Sequence, residues 1–302
     1  MIKVAWIQGK SQGSIAANLE YYQKKIYALN TEQNSASEKL DLVILPELFL
    51  TDYFPVAEKP ENFDLAFSKD AAEINTFQNL AKELKLAIVF PFFEKVSSGL
   101  FFNSLYVIDS QGEILNHYRK MHIPDDPGFY EKYYFRPGDL GFQVADLLSA
   151  GRLSDGIVQE NIRLGTLICW DQWFPEAARI TALKGANILI YPTAIGWDSN
   201  EPESIYEDQL EAWFSIMRAH AIANNVYVIA VNRVGQEGHL NFWGNSFCID
   251  PYGKVIHRDS TEETLSIVDL DLDKIEDARR TWPYFRDRRV DVYGDITNLW
   301  ME

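Results

Sequence analysis

Leu42-Val43-Ile44-Leu45-Pro46-Glu47 is an apolar run of strand length closed by a proline, and Ile188-Leu189-Ile190-Tyr191-Pro192-Thr193 repeats it in the second half of the chain. Both copies are apolar up to the proline, the pattern of a buried strand. Working outward, Asn103-Ser104 opens a strand that turns at Asp109-Ser110-Gln111-Gly112, and Asn245-Ser246 opens one that turns at Asp250-Pro251-Tyr252-Gly253. Each turn ends on a glycine free to take positive φ, as hairpin chemistry requires. Apolar runs predict strands over 3–8, 42–45, 87–92, 104–108, 163–168, 188–191, 227–231 and 246–249. Amphipathic stretches predict helices over 16–29, 71–84, 175–183, 206–224 and 272–279. Alternation of this kind implies an α/β fold. Its duplication implies two related sheets face to face with helices outside, a four-layer αββα sandwich with a pseudo-twofold internal repeat.

The halves differ where charge is concerned. Glu47 is answered by Thr193, and Lys120, eight residues after Gly112, is answered by Thr261 at the same offset from Gly253. A purely structural repeat has no need of charges in one half only. Glu47 closes an apolar strand, where a carboxylate is costly to bury unless it is paired, and one held out of water suits a general base. Lys120 closes the limb Ile114-Leu115-Asn116-His117-Tyr118-Arg119-Lys120, where an ammonium can stabilise an oxyanion. Cys169, in Leu167-Ile168-Cys169-Trp170-Asp171-Gln172-Trp173-Phe174-Pro175-Glu176, follows a strand and precedes a proline suited to a first helical turn. That reads as a nucleophile elbow, with the thiol expected near a helix N-terminus and its pKa lowered. A lone free cysteine is more often a small buried hydrophobe, and Cys248, inside a predicted strand, is read that way. Cysteine, glutamate and lysine at three strand ends form a minimum set for amide hydrolysis without histidine. His220 and His239 are read as structural.

Bulk properties exclude other classes. The 302 residues include 28 basic and 44 acidic side chains, a net charge of −16 without a long basic run, which argues against nucleic acid as a partner. The acidity suits a cationic ligand and also ordinary solubility. No run approaches the roughly 18 apolar residues of a membrane helix, and Met1–Gln8 reads as a strand, not a signal peptide. Two cysteines make no disulfide framework, so a reducing, cytoplasmic setting is expected. No CxxC, HExxH or HxH spacing occurs, so no metal is expected.

From Lys3 to about Tyr293 the chain resembles the nitrilase superfamily of carbon–nitrogen hydrolases, and within it most closely the N-carbamoylputrescine amidohydrolases. Carrying the resemblance are Leu45-Pro46-Glu47, Tyr118-Arg119-Lys120-Met121-His122-Ile123-Pro124-Asp125, the stretch from Ile168 to Arg179, Tyr191-Pro192-Thr193-Ala194-Ile195-Gly196 and Phe285-Arg286-Asp287-Arg288-Arg289. It implies Glu47 as general base, Lys120 as oxyanion lysine, Cys169 as nucleophile and Glu131 as a second active-site carboxylate. It further implies no cofactor, one hydrolase domain over 1–302, a homo-oligomer, and a C-terminal segment (about 280–302) packed on a partner subunit. The substrate implied is a small cationic N-carbamoyl amine, carbamoylputrescine, cleaved to diamine, carbon dioxide and ammonia. Trp170, through its backbone N–H, is an expected oxyanion donor, and Thr193 and Ala194 are expected beside the substrate. Tyr53, Asp125, Trp197, Asp198 and Glu201 are candidate receptors for the distal ammonium. The loop Trp197-Asp198-Ser199-Asn200-Glu201-Pro202-Glu203-Ser204 departs from the relatives' pattern, which leaves the substrate open. A β-ureido acid or ω-amide would instead need an arginine, with Arg136 and Arg233 as candidates. A catalytically inactive scaffold is the alternative of another class.

Overall fold

In the computed structural model, which describes residues 1–31, 39–148 and 161–301, the strands form two six-stranded sheets and a three-stranded one. The first half runs β1 (Ile2–Gln8), α1 (Ile15–Thr31), β2 (Leu42–Ile44), α2 (Ala72–Leu84), β3 (Ala87–Ser97), β4 (Leu100–Ile108), β5 (Ile114–Arg119) and the short α3 (Glu131–Tyr134). The second half runs β6 (Gln143–Leu148), β7 (Asn161–Thr166), α4 (Pro175–Leu183), β8 (Ile188–Pro192), β9 (Gly196–Asp198), α5 (Tyr206–Asn224) and β10 (Tyr227–Val231). It continues through β11 (Val234–Glu237), β12 (Leu240–Trp243), β13 (Phe247–Ile249), β14 (Val255–Arg258), β15 (Thr264–Leu270) and α6 (Asp273–Thr281). Glu302, the last residue of the segment expected on a partner, lies outside the described residues.

The duplication is borne out strand by strand. One sheet has the order β15-β1-β2-β3-β4-β5, and read from the opposite edge the other is β6-β7-β8-β10-β13-β14. In each, three parallel strands (β1-β2-β3 and β7-β8-β10) are flanked by antiparallel ones. Side chains alternate along a strand, and the alternation sorts them into layers. Val4, Trp6, Leu42 and Ile44 share one cluster with Leu164, Ile188 and Ile190 of the opposite sheet. Ala5, Ile7, Val43 and Leu45 point the other way, onto Tyr22, Ile26 and Leu29 of α1 and Ile74, Phe77 and Leu80 of α2. Helix, sheet, sheet, helix is the expected αββα sandwich. Asn116 Nδ2 donates to Thr166 Oγ1 across the interface at 3.1 Å.

Local chemistry sets the helix ends. α2 stops at Lys85 and α5 at Asn225, both in the left-handed conformation (φ +55° and +46°) that closes a helix. α4 starts on Pro175 as expected. Several strands were not foreseen: β6, β14 and β15 complete the edges of the two large sheets, and β11, β12 and β9 form a separate antiparallel sheet beside the mouth of the site. Its strands have three or four residues with mixed burial, too short for periodicity to register. None of the described helices is long and apolar enough to cross a membrane. Beyond α6, Pro283, Phe285 and Arg288 are half-buried, and from Arg289 to Met301 the chain is exposed throughout, with Leu299 103% and Trp300 82% accessible.

Candidate active site

Glu47, Lys120, Glu131 and Cys169 come together where the sheets' strand ends converge. Cys169 lies beyond β7, which ends at Thr166, two residues earlier than the run 163–168 suggested. Leu167 and Ile168 leave the sheet, and Cys169 opens a 3-10 turn, Cys169–Trp173, with φ +40°. That is a left-handed conformation disfavoured for any residue with a Cβ, and such strain persists only where surroundings hold it. Asp171 supplies much of the hold. Its buried carboxylate accepts from Tyr118 Oη (2.7 Å), Ile168 N (3.0 Å) and His122 N (3.0 Å). The carboxylate therefore ties the elbow to the chain on either side of Lys120.

The thiol's electrostatics correct one expectation. α4 begins six residues past Cys169, so no helix N-terminus reaches the sulfur. Burial pushes the Cys169 thiol well above its ordinary pKa, Glu47 adds to the rise and Lys120 opposes it. At neutral pH the resting group is a thiol, and attack requires a base. Sγ points towards the Ala194 carbonyl oxygen at 3.8 Å.

Lys120 Nζ lies 2.8 Å from Glu47 Oε1 and 2.7 Å from Glu131 Oε2, all three side chains being fully buried. Burial works against the ammonium, but Glu131 and Glu47 outweigh it and the Lys120 pKa is raised. Glu131 is pushed up to about 7, chiefly by burial, with Lys120 opposing and Glu47 reinforcing. Its other oxygen accepts from Tyr53 Oη at 2.7 Å, so both Glu131 oxygens are engaged. On Glu47, Oε1 also accepts from Asn103 Nδ2 at 2.7 Å, whereas the buried Oε2 has no hydrogen-bond partner among the described residues. One carboxylate is thus saturated, and the other keeps a bare oxygen.

A cavity of about 320 Å³ opens over Cys169 and Glu131, walled by Trp170, Trp173, Ala194 and Trp243. Its polar lining includes Asp126, Asp198, Glu201 and Gln209 and, among the described residues, no lysine or arginine. Several expected substrate contacts need correction. Asp125 does not line the cavity; its neighbour Asp126, equally exposed, does. Trp197 stacks on Tyr206 (5.1 Å, 13°) and donates Nε1 to the Tyr206 carbonyl, so it buttresses the wall from behind. Thr193 turns its hydroxyl back to the Tyr191 carbonyl at 2.8 Å. Tyr53 sits behind Glu131, outside the lining. Neither arginine candidate lines the cavity: Arg136 is exposed, and Arg233 is buried against the Thr51 carbonyl and Glu237. His220 is held by the Gln172 carbonyl with its pKa lowered by burial, and Cys248 is a buried core thiol. Asn103, Asp126, Asp171 and Gln209 had no assigned role. Asn103 was visible as half of a repeated Asn-Ser pair, and Asp171 within the elbow segment.

A sequence model of the carbon–nitrogen hydrolase family matches residues 3–280. The chain belongs to the carbon–nitrogen hydrolases. It is 38% identical to the N-carbamoylputrescine amidase of Solanum lycopersicum, covering 99% of this chain and 96% of that one. It is 36% identical to the citrullinase of Francisella tularensis, with 98% of each chain covered. Among solved structures, a carbon–nitrogen hydrolase from Helicobacter pylori G27 superposes with a TM-score of 0.90 at 39% identity over 99% of both chains. This hydrolase is accordingly an enzyme acting on non-peptide C–N bonds, and relatives of similar identity carry two different ureido-substrate names.

Proposed function

We propose that this carbon–nitrogen hydrolase removes the carbamoyl group of N-carbamoylputrescine. The observation that carries the reading is the cavity lining, which offers Asp126, Asp198 and Glu201 beyond the reacting centre and no cation. A ureido amine carries a distal ammonium that these groups attract. Citrulline and β-ureido acids carry a carboxylate that would be buried among like charges without an arginine. Gln209 Nε2 holds Glu201 Oε2 at 2.8 Å and fixes that carboxylate at the mouth. Glu47 takes the thiol proton through its bare Oε2 as Cys169 attacks the ureido carbonyl, and Lys120 with the Trp170 N–H stabilises the oxyanion. The Trp170 N–H lies in the first turn of the 3-10 segment, where such groups have no intrahelical acceptor. Glu47 returns the proton to the departing amine, leaving a thiocarbamate on Cys169. Water activated by Glu47 cleaves it, so one water is consumed for each carbamoyl group released as carbon dioxide and ammonia.

Ammonia release from N-carbamoylputrescine, citrulline and β-ureidopropionate tests the reading. The diamine derivative is expected to have the highest kcat/KM. Glu201→Gln should raise KM for it roughly 10- to 100-fold, the worth of one charge-assisted hydrogen bond, with kcat little changed. Equal or better turnover of either ureido acid by the unaltered enzyme overturns the substrate.

We also propose that residues 282–301 pack on a second copy of the chain. Val290, Val292, Ile296, Leu299 and Trp300 are all more than half exposed, an apolar load unusual for a solvated tail. Light scattering should show an oligomer that dissociates when the chain is cut after Trp282; an unchanged mass rejects the proposal.

A further inference from the structure

We propose that Asn103 is the positioning residue that makes Glu47 a base, by holding one of its oxygens so that the other stays bare and faces the reacting centre. The inference rests on the assignment of Glu47 as base. Asn103 is fully buried where β4 meets β5. Its Nδ2 donates to Glu47 Oε1 at 2.7 Å, and its backbone carbonyl accepts from Lys120 N at 2.8 Å. One residue thus registers both charged groups, the glutamate through its side chain and the lysine through its main chain. Oε1 receives two donors, Asn103 Nδ2 and Lys120 Nζ, and Oε2 none. With Oε1 pinned from two directions the carboxylate cannot rotate about its terminal bond, and the lone pairs of Oε2 keep a fixed aim. Asn103 Oδ1 is buried without a hydrogen-bond partner among the described residues, so the amide carries a desolvation cost there.

The second half of the molecule serves as an internal control. Asn245 occupies the equivalent place in the Asn-Ser pair, but Thr193 stands where Glu47 does in the first half. Asn245 Nδ2 donates to the Trp243 carbonyl and Oδ1 accepts from Arg258 Nε, an ordinary structural set with both ends satisfied. The half that has the carboxylate is the half in which the asparagine gives up its own oxygen's partner to serve it.

The groups facing Glu47 are Lys120, Glu131, Cys169 and Tyr53, and substitution of Asn103 alters none of them. Asn103→Leu removes the donor at similar size, and Asn103→Asp adds a like charge. For Asn103→Leu, kcat for ammonia release should fall roughly 10- to 100-fold, with KM within about threefold, as expected for a misaimed base. Asn103→Asp keeps the size but turns the donor into an acceptor, and its kcat should fall at least as far, again with KM little changed. If Asn103→Leu does not fold, the near-isosteric Asn103→Asp decides alone. An unchanged kcat in a folded variant, or a KM that rises as far as kcat falls, overturns the proposal and leaves Asn103 a packing residue. Glu47→Gln, assayed alongside, separates the two claims: full activity there refutes the base assignment, whereas an inactive Glu47→Gln with Asn103 variants of unchanged kcat refutes the positioning alone.

Discussion

Cys169→Ala is expected to lower kcat for ammonia release by at least about 10⁴-fold, the scale of losing a covalent nucleophile, while leaving the fold intact. The thiol is a small group whose hydrogen bond, a long 3.8 Å contact to the Ala194 carbonyl, contributes little to stability. Alanine carries the same Cβ, so the backbone at φ +40° is no worse for the change. The hold on the elbow comes from Asp171, whose bonds to Tyr118, Ile168 and His122 do not involve residue 169's side chain. The variant should therefore melt close to the unaltered enzyme. Cys169→Ser should be nearly as inactive, because a hydroxyl binds its proton more tightly than a thiol and the local field already opposes ionisation: burial and Glu47 push the thiol pKa up. Ammonia release by Cys169→Ala within tenfold of normal would remove Cys169 from the chemistry and return the scaffold alternative to consideration.

How far these features could be read from the sequence depended on the range of the interaction that creates them. Glu47 announced itself because a carboxylate closing Leu-Val-Ile-Leu conflicts with its own neighbourhood, a conflict visible within six residues. The αββα plan was legible because strand repeats survive as paired motifs, and both sheets show the same strand order. The thiol's pKa was misjudged because proline at 175 marked a helix start without revealing the 3-10 turn spent in between. Asp125 was preferred over Asp126 because nothing local says which of two adjacent acids a loop turns inward. Trp197 had the composition of a ligand-facing aromatic, but its direction is set by stacking on Tyr206, nine residues away across a strand and a turn. Asn103 was seen twice as a repeat element, yet its partner Glu47 lies 56 residues distant. No periodicity encodes that pairing.

Lys120→Met is expected to damage activity and stability together, with opposite responses to rescue. Lys120, Glu47 and Glu131 are each fully buried, and the lysine is bonded to both carboxylates. Removing one member of a buried ionic set costs roughly 3–5 kcal/mol, because the remaining charges keep their desolvation penalty without compensation. Glu131 then answers by taking up a proton. Glu131, already pushed up to about 7 from 4.5 with Lys120 present, must rise further without it. A carboxyl whose pKa is higher in the folded state binds more protons folded than unfolded, so stability falls as pH rises from the unfolded value towards the folded one. Urea melts of Lys120→Met should accordingly be closest to normal near pH 5 and worsen steadily through pH 8, a steeper trend than in the unaltered enzyme. Adding Glu131→Gln removes one uncompensated charge while keeping an acceptor for Tyr53 Oη, now 2.7 Å from that carboxylate, and should recover much of the lost stability. Activity should not follow. Loss of the oxyanion's cation costs about 10²–10³-fold in kcat, and no neutral group at residue 131 replaces it. Recovery of turnover in the stable double variant would mean that Lys120 only neutralises its carboxylate neighbours, and the oxyanion would then rest on backbone N–H groups alone.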